Sequence, residues 1–275
     1  MITKENSESE ESAISERQRH RAKWRHYWEL LWFKTYMDLK IETQITYLGF
    51  FWWFLEPVFF LFIYYYIFAI ILKTRTPHFI EFLFVGVVAW RWFAPAMSRS
   101  CRSIKSQARL MREIYVSKLI FPASVVLNDA FKFAIIFFIL LTFLTVFHNK
   151  PNLLWLAVVP NFICQLTIIF GYSFCFAALT PFIPDFPLVI QTFTFALMMV
   201  SGIFFDVLAA PPHLAYMLQL NPIADVLINY RLPLINHQSP QWGYMLYTFV
   251  FGCVLNVIGI YFIRKNERVF SKVCA

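Results

Sequence analysis

The sequence predicts an all-α integral membrane protein. It has six transmembrane helices, an N-terminal amphipathic interface helix, a cytoplasmic coupling helix, and a re-entrant outer hairpin between spans five and six. Three observations predict it. Of the 275 residues, 59% are apolar and 15% charged, against about 45–50% and about 25% in soluble domains. The apolar residues gather in six runs near the ~20 residues that a bilayer crossing needs. The Lys and Arg residues fall mainly in the gaps on one side of those runs, as expected where cytoplasmic loops retain positive charge.

In chain order, residues 1–23 predict a flexible cytoplasmic tail. Its first part is acidic and Ser-rich and lacks the basic-then-apolar order of a cleavable signal peptide. Residues 24–46 intersperse Trp24, Trp28, Leu31, Trp32, Met37 and Leu39 with Arg25, Lys34 and Lys40. That mixture predicts an amphipathic helix in the headgroup zone, either a plain anchor or a helix that also contacts a partner. The six spans follow at 47–72, 79–97, 121–147, 153–179, 186–205 and 241–263 within a membrane domain of 47–263, and 264–275 form a second cytoplasmic tail. With the N-terminus inside, eighteen Lys and Arg fall on the cytoplasmic side and four outside, so both termini are expected in the cytoplasm.

Two connections are not simple turns. Residues 98–122 are basic and helical in composition, with Arg99, Arg102, Lys105, Arg109, Arg112 and Lys118; they predict a docking element or a contact with lipid phosphates. The outer segment 207–235 is apolar but interrupted by Pro211, Pro212, Pro222 and Pro233, so no piece is long enough to cross. Short helices that dip in and return would border a pathway opening outward, because irregular backbone at membrane depth must be buried in protein or face water. A loop resting on the outer surface is the alternative.

The composition and motifs exclude several functions. The net charge of +8 is not a nucleic-acid footprint, since the basic residues do not form one face of a polar domain. The five cysteines show no C-x-x-C spacing. There is no G-x-S-x-G, H-E-x-x-H or clustered His, and no G-x-x-x-x-G-K-[ST], so any nucleotide must be held by another chain. Charged residues inside the spans are costly and therefore informative. Asp129 and Lys132, one turn apart, are expected to compensate each other, Arg91 to snorkel toward the cytoplasm, and Glu56, before Pro57, to mark a bend or face a partner helix. Aromatic side chains fill the first span throughout, thirteen in 26 positions. Their flat apolar faces suit a conduit for a sliding polysaccharide, while packing and lipid contact account for many of them equally well.

These residues together resemble the type-2 ABC transporter permeases of polysaccharide and polyol-phosphate export. That family's pattern R-D-L-K-x-R-Y, then S-x-L-G-x-x-W-x-x-x-x-P, is matched by Asp38, Leu39, Lys40, Leu48, Gly49, Trp52 and Pro57; Met37 and Glu42 stand where the family has arginines and Thr43 where it has tyrosine. L-I-x-K-x-x-F-P is echoed by Leu110, Met111, Glu113, Phe121 and Pro122 with a longer spacer. S-P-I-F-Y is matched at Ser201 to Phe205, followed by Asn221, Pro222 and Arg231, and the family's R-D appears as Pro184 and Asp185. The cytoplasmic loop is most similar to the O-antigen and teichoic-acid type.

The resemblance implies a permease subunit in the bacterial inner membrane. It would pair with itself and with two ABC ATPase subunits that hold ATP and Mg, binding no cofactor of its own, and would export a lipid-linked polysaccharide, O-antigen first. Capsule or teichoic-acid export, a drug or small-lipid exporter, and a membrane enzyme on lipid-linked sugars are the alternatives. On this reading the basic residues of 98–122 and Asp185 dock the ATPase. Lys40, Gly49, Trp52 and Pro57 belong to the interface helix and gate, and Phe59, Tyr64, Tyr65, Phe193, Phe204, Tyr216, Asn221, Tyr230 and Arg231 border the channel or its exit.

Overall fold

The computed structural model describes residues 25–45, 47–71, 78–113, 116–146, 151–267 and 269–270, without the side chains of Ala69 and Arg112. The expected tail at 1–23 lies outside the described residues. Helix α1 spans 25–45. After it come α2 (Phe51–Tyr65), prolonged by a π-helical stretch, α3 (Phe79–Ser106), α4 (Ala108–Glu113) and α5 (Ile120–Val146). The second half holds α6 (Val158–Leu179, preceded by a 3-10 turn), α7 (Phe186–Val200), α8 (Pro212–Gln219), α9 (Pro222–Leu234) and α10 (Trp242–Lys265).

By length and composition, five of the six expected runs give helices able to cross a membrane. The run 186–205 is the exception: α7 has 15 residues, about 22 Å at 1.5 Å per residue, short of a ~30 Å hydrocarbon layer. It stops at Ser201 because Gly202 turns left-handed, at φ 75°. Helix α3, in contrast, runs 28 residues without interruption, about 42 Å. Its last two and a half turns therefore extend past the expected span end at Met97, and the basic segment begins as a continuation of the span.

Helix α3 is the centre of the bundle, packed against α2, α5, α6, α7 and α9 and buried along most of its length. Trp92 stacks on Phe133 and Phe162, with ring centroids 4.5 and 5.0 Å apart, and Gln165 on α6 donates 2.9 Å to the Ala89 carbonyl. Helices α6 and α10 form the most extensive pair. A Cβ at Gly259 would come 2.6 Å from the Phe174 Cβ, so only glycine lets the backbones approach this closely. Asn256 then bridges them by donating 2.7 Å to the Thr167 carbonyl, the small-residue and polar-residue pairing typical of membrane helices. A second apolar cluster joins α1, the end of α3, α4, the start of α5, and the ends of α6 and α10 through Leu31, Ile104, Met111, Phe121, Ala177 and Ile263.

The proline-broken segment 207–235 forms a 3-10 turn and two short α-helices, and the last is buried over its entire length. Asn221 starts it by accepting from the Ile223 N–H at 3.1 Å, with Pro222 at the first helical position, a pairing that satisfies one free N–H and needs no second. Its amide also donates 2.9 Å to Ser201 Oγ. Arg231, 5% exposed, donates to the carbonyls of Phe82, Gly202 and Ile203 at 3.2, 2.6 and 3.0 Å and lies 3.4 Å over the Phe82 ring. It thus binds the Gly202 and Ile203 carbonyls left over where α7 ends and adds a second donor to the Phe82 carbonyl in the first turn of α3, and Gly86 leaves room for it, since a Cβ there would lie 2.5 Å from Nη2.

Replacing Arg231 by Met would strand the Gly202 and Ile203 carbonyls, at about 1–3 kcal/mol each. Denaturant titration of the detergent-solubilised protein should show a loss of at least about 2 kcal/mol. A wild-type midpoint would remove Arg231 from this structural role.

Candidate functional site

The densest polar assembly lies where α1 meets α2, α3 and α5. The last turns of α1 present Glu42, and Gly49, at φ 50°, turns the chain from α1 into α2. The Lys132 ammonium on α5 donates to both Glu42 oxygens at 2.6 and 2.7 Å. Arg99 on α3 donates to Glu42 at 3.4 Å and pairs directly with Asp129; Lys132 also stands 3.4 Å from Asp129. About two turns along α3, Arg91 pairs with Glu56 on α2 and lies 5.2 Å from the Phe60 ring centroid. Three cations and three carboxylates from four helices therefore surround a cavity of about 160 Å³, walled by Trp52, Trp53, Pro57 and Trp92.

The groups balance in charge and contain no nucleophile with an adjacent base, so the assembly acts as a latch. Without Glu42, Arg99 and Lys132 would share the single carboxylate of Asp129, leaving an excess cation in a low-dielectric site. Two expectations are corrected here and a third, open between two outcomes, is decided. Asp129 and Lys132 do not compensate each other alone, because each has a closer partner on another helix. Arg91 does not snorkel, since Glu56 meets it within the bundle. Glu56 faces α3.

The expected docking residues separate by burial. Arg102, Lys105 and Arg109 are exposed at the end of α3 and on α4, and Arg109 reaches Glu113 at 3.4 Å across the surface. Met111 anchors the opposite face of α4 in the second apolar cluster. Asp185 is exposed, in the connection from α6 to α7; this connection touches α3 where Cys101 and Thr180 come within 2.9 Å. Arg99 is held in the latch and Lys118 is buried with its ammonium on the Val116 carbonyl, so neither presents a free charge to a partner. The side chain of Arg112 lies outside the described residues. Lys40 and Trp52 are exposed and Pro57 is buried.

Of the aromatic candidates, Phe59, Phe193 and Tyr216 are exposed on α2, α7 and α8, and Tyr64 and Tyr65 are half-buried. Phe204 stacks on Phe68, centroids 4.6 Å apart, and meets Tyr64 at 4.9 Å. Tyr230 is fully buried against Phe137 and Phe133. With α9 enclosed by α3, α6 and α10, Tyr230 and Arg231 hold the core together and do not border an exit. Asn221, half-buried, is the cap of α9.

No family model matches the chain. Among curated proteins it is similar to two O-antigen export system permease proteins RfbA of Klebsiella pneumoniae, each 24% identical over 249 residues, covering 90% of this chain and 96% of theirs. The namesake protein of Myxococcus xanthus is 23% identical over 208 residues, 74% of this chain and 79% of its own. The resemblance seen in the motifs therefore extends to named export permeases over most of the chain.

Substituting Glu42 by Gln should weaken the latch and by Lys should break it. Loss of charged hydrogen bonds, about 1.5–3 kcal/mol, predicts amide hydrogen exchange in residues 40–45 faster by about tenfold or more. Exchange in α6 and α10 should be unchanged. Equal protection in wild type and Glu42→Lys would show that α1 is held by other contacts.

Proposed function

We propose that this chain is the transmembrane permease subunit of a type-2 ABC exporter. In this reading it moves a lipid-linked polysaccharide, undecaprenyl diphosphate-linked O-antigen, from the cytoplasmic to the outer face of the bacterial inner membrane. Two copies form the conduit, and two separate ATPase subunits drive it with ATP and Mg. The observation that carries the reading is the match to O-antigen export permeases across 90% of this chain and 96% of theirs.

The geometry supports the division of labour. A partner that pushes on Arg102, Lys105 and Arg109 acts on the end of α3, and α3 passes without a break into the centre of the bundle. A helix of this length transmits displacement along its axis, so a cytoplasmic push reaches α2, α7 and α9 together. The latch extends the same displacement to α1 through Arg99 and Glu42. Helix α1 exposes Trp28, Trp32 and Tyr36 at four-residue spacing, a stripe suited to the headgroup zone. The sixth crossing is then made by short α7 and its turn, with α8 and α9 folded back as the outer hairpin; both termini remain cytoplasmic. Exposed Phe59, Phe193 and Tyr216 are the aromatic groups available to a passing polymer.

Reversing Arg102 and Arg109 to Glu should lower co-purification of the ATPase by about tenfold or more, as expected when two rim charges become repulsive, with insertion unchanged. The permease purified alone should hydrolyse no ATP. Unimpaired co-purification and export in the double reversal would move docking to the connection around Asp185, and ATP hydrolysis by the isolated chain would overturn the permease reading.

A further inference from the structure

A groove of about 620 Å³ opens on the flank of the bundle away from the latch, between the start of α1 and helices α5, α6 and α10. Its wall is almost wholly apolar, with Leu127, Leu166, Phe170 and Ile260 along its length. From Leu166 to the end of α6 is about 20 Å along the helix axis, so the groove extends roughly from the cytoplasmic boundary toward mid-membrane. The mouth is different in character. Arg264, exposed at the end of α10, stands there with Tyr27 and Trp28 of α1. Burial pushes the Tyr27 phenol up, and the neighbouring Arg264 guanidinium partly offsets this.

We propose that the groove is a binding site for an anionic glycerophospholipid of the cytoplasmic leaflet. One acyl chain lies along the apolar wall and the phosphate sits at Arg264, with the aromatic pair at headgroup level. The assignment follows from the order of chemistry along the groove: a long apolar slot parallel to the spans, then interfacial aromatics, then one cation, which is the profile of a single phospholipid read from tail to head. Residues 1–23, the nearest segment of chain that could fill it, are mostly polar and charged and do not match an apolar wall. Held there, the lipid would tie α1 to α6 and α10 on the side of the bundle where no ion pair does so among the described residues. The site depends on membrane embedding and not on the transported substrate.

The full chain in detergent, titrated with phosphatidylglycerol or phosphatidylcholine and followed by native mass spectrometry, tests it. One bound phosphatidylglycerol should be retained about fivefold better than phosphatidylcholine, the preference one basic side chain confers at a membrane surface. Arg264→Gln, at an exposed helix end, should abolish the preference while keeping the phosphatidylcholine adduct. Leu127→Trp should fill the slot and lower both adducts at least about fivefold. An unchanged preference in Arg264→Gln, an unchanged adduct in Leu127→Trp, or a comparable gain in binding on removing residues 1–23 would overturn the assignment, the last by showing that the tail occupies the groove.

Discussion

Six ionised side chains sit among apolar helices, and the requirement that each face an opposite charge fixes how α1, α2, α3 and α5 are arranged. At an insertion cost of about 2.5–3.5 kcal/mol for a charge at a helix centre, Arg91, Arg99 and Lys132 are tolerable only where Glu56, Asp129 and Glu42 meet them. Lys132 and Arg99 lie on neighbouring helices and converge on one carboxylate of α1. The amphipathic helix is therefore attached to the bundle by a specific charge as well as by its apolar face, and α3 contributes to both ion-pair groups. Any displacement of α3 must be shared with α1 or must separate these pairs.

The joint between α7 and α9 depends on a different constraint, the accounting of backbone carbonyls. Ending α7 after 15 residues frees acceptors that cannot reach water in the interior, and Arg231 supplies the donors from a buried helix, 29 and 28 residues further on. Asn221 ties the same turn to the start of α9 through Ser201. The paired segments around Ser201–Phe205 and Asn221–Arg231 thus form one joint, which accounts physically for their occurrence together in the sequence.

Much of this architecture was legible beforehand. Uninterrupted apolar runs specified five long helices, the Trp and Lys mixture specified α1, and four prolines specified short helices between α7 and α10. The shortness of α7 was not legible, because hydropathy continues through Ile203 and Phe204 while the break is set by the left-handed Gly202. Exposed Arg102, Lys105 and Arg109 followed from composition, but the internal roles of Arg99 and Lys118 depend on which face of α3 and which side of the 116–119 turn packs inward. The latch was missed as a unit. Its signal was present in Glu56, Arg91, Asp129 and Lys132, charged residues inside apolar runs; pairing residues 90 positions apart requires the tertiary fold. Tyr230 and Arg231 were expected at an exit because polar atoms on a proline-broken segment suggest a solvent boundary, whereas both are buried here, Tyr230 among aromatic rings and Arg231 on the carbonyls of the joint.

The export account is tested most directly in a strain of the source bacterium lacking this chain and any second permease. Lipid-linked polymer should accumulate on the cytoplasmic face of the inner membrane, inaccessible to an externally added glycan label, and return to the surface when the chain is restored. Normal surface polysaccharide in the deletion strain, with no polymer trapped inside, would contradict the account.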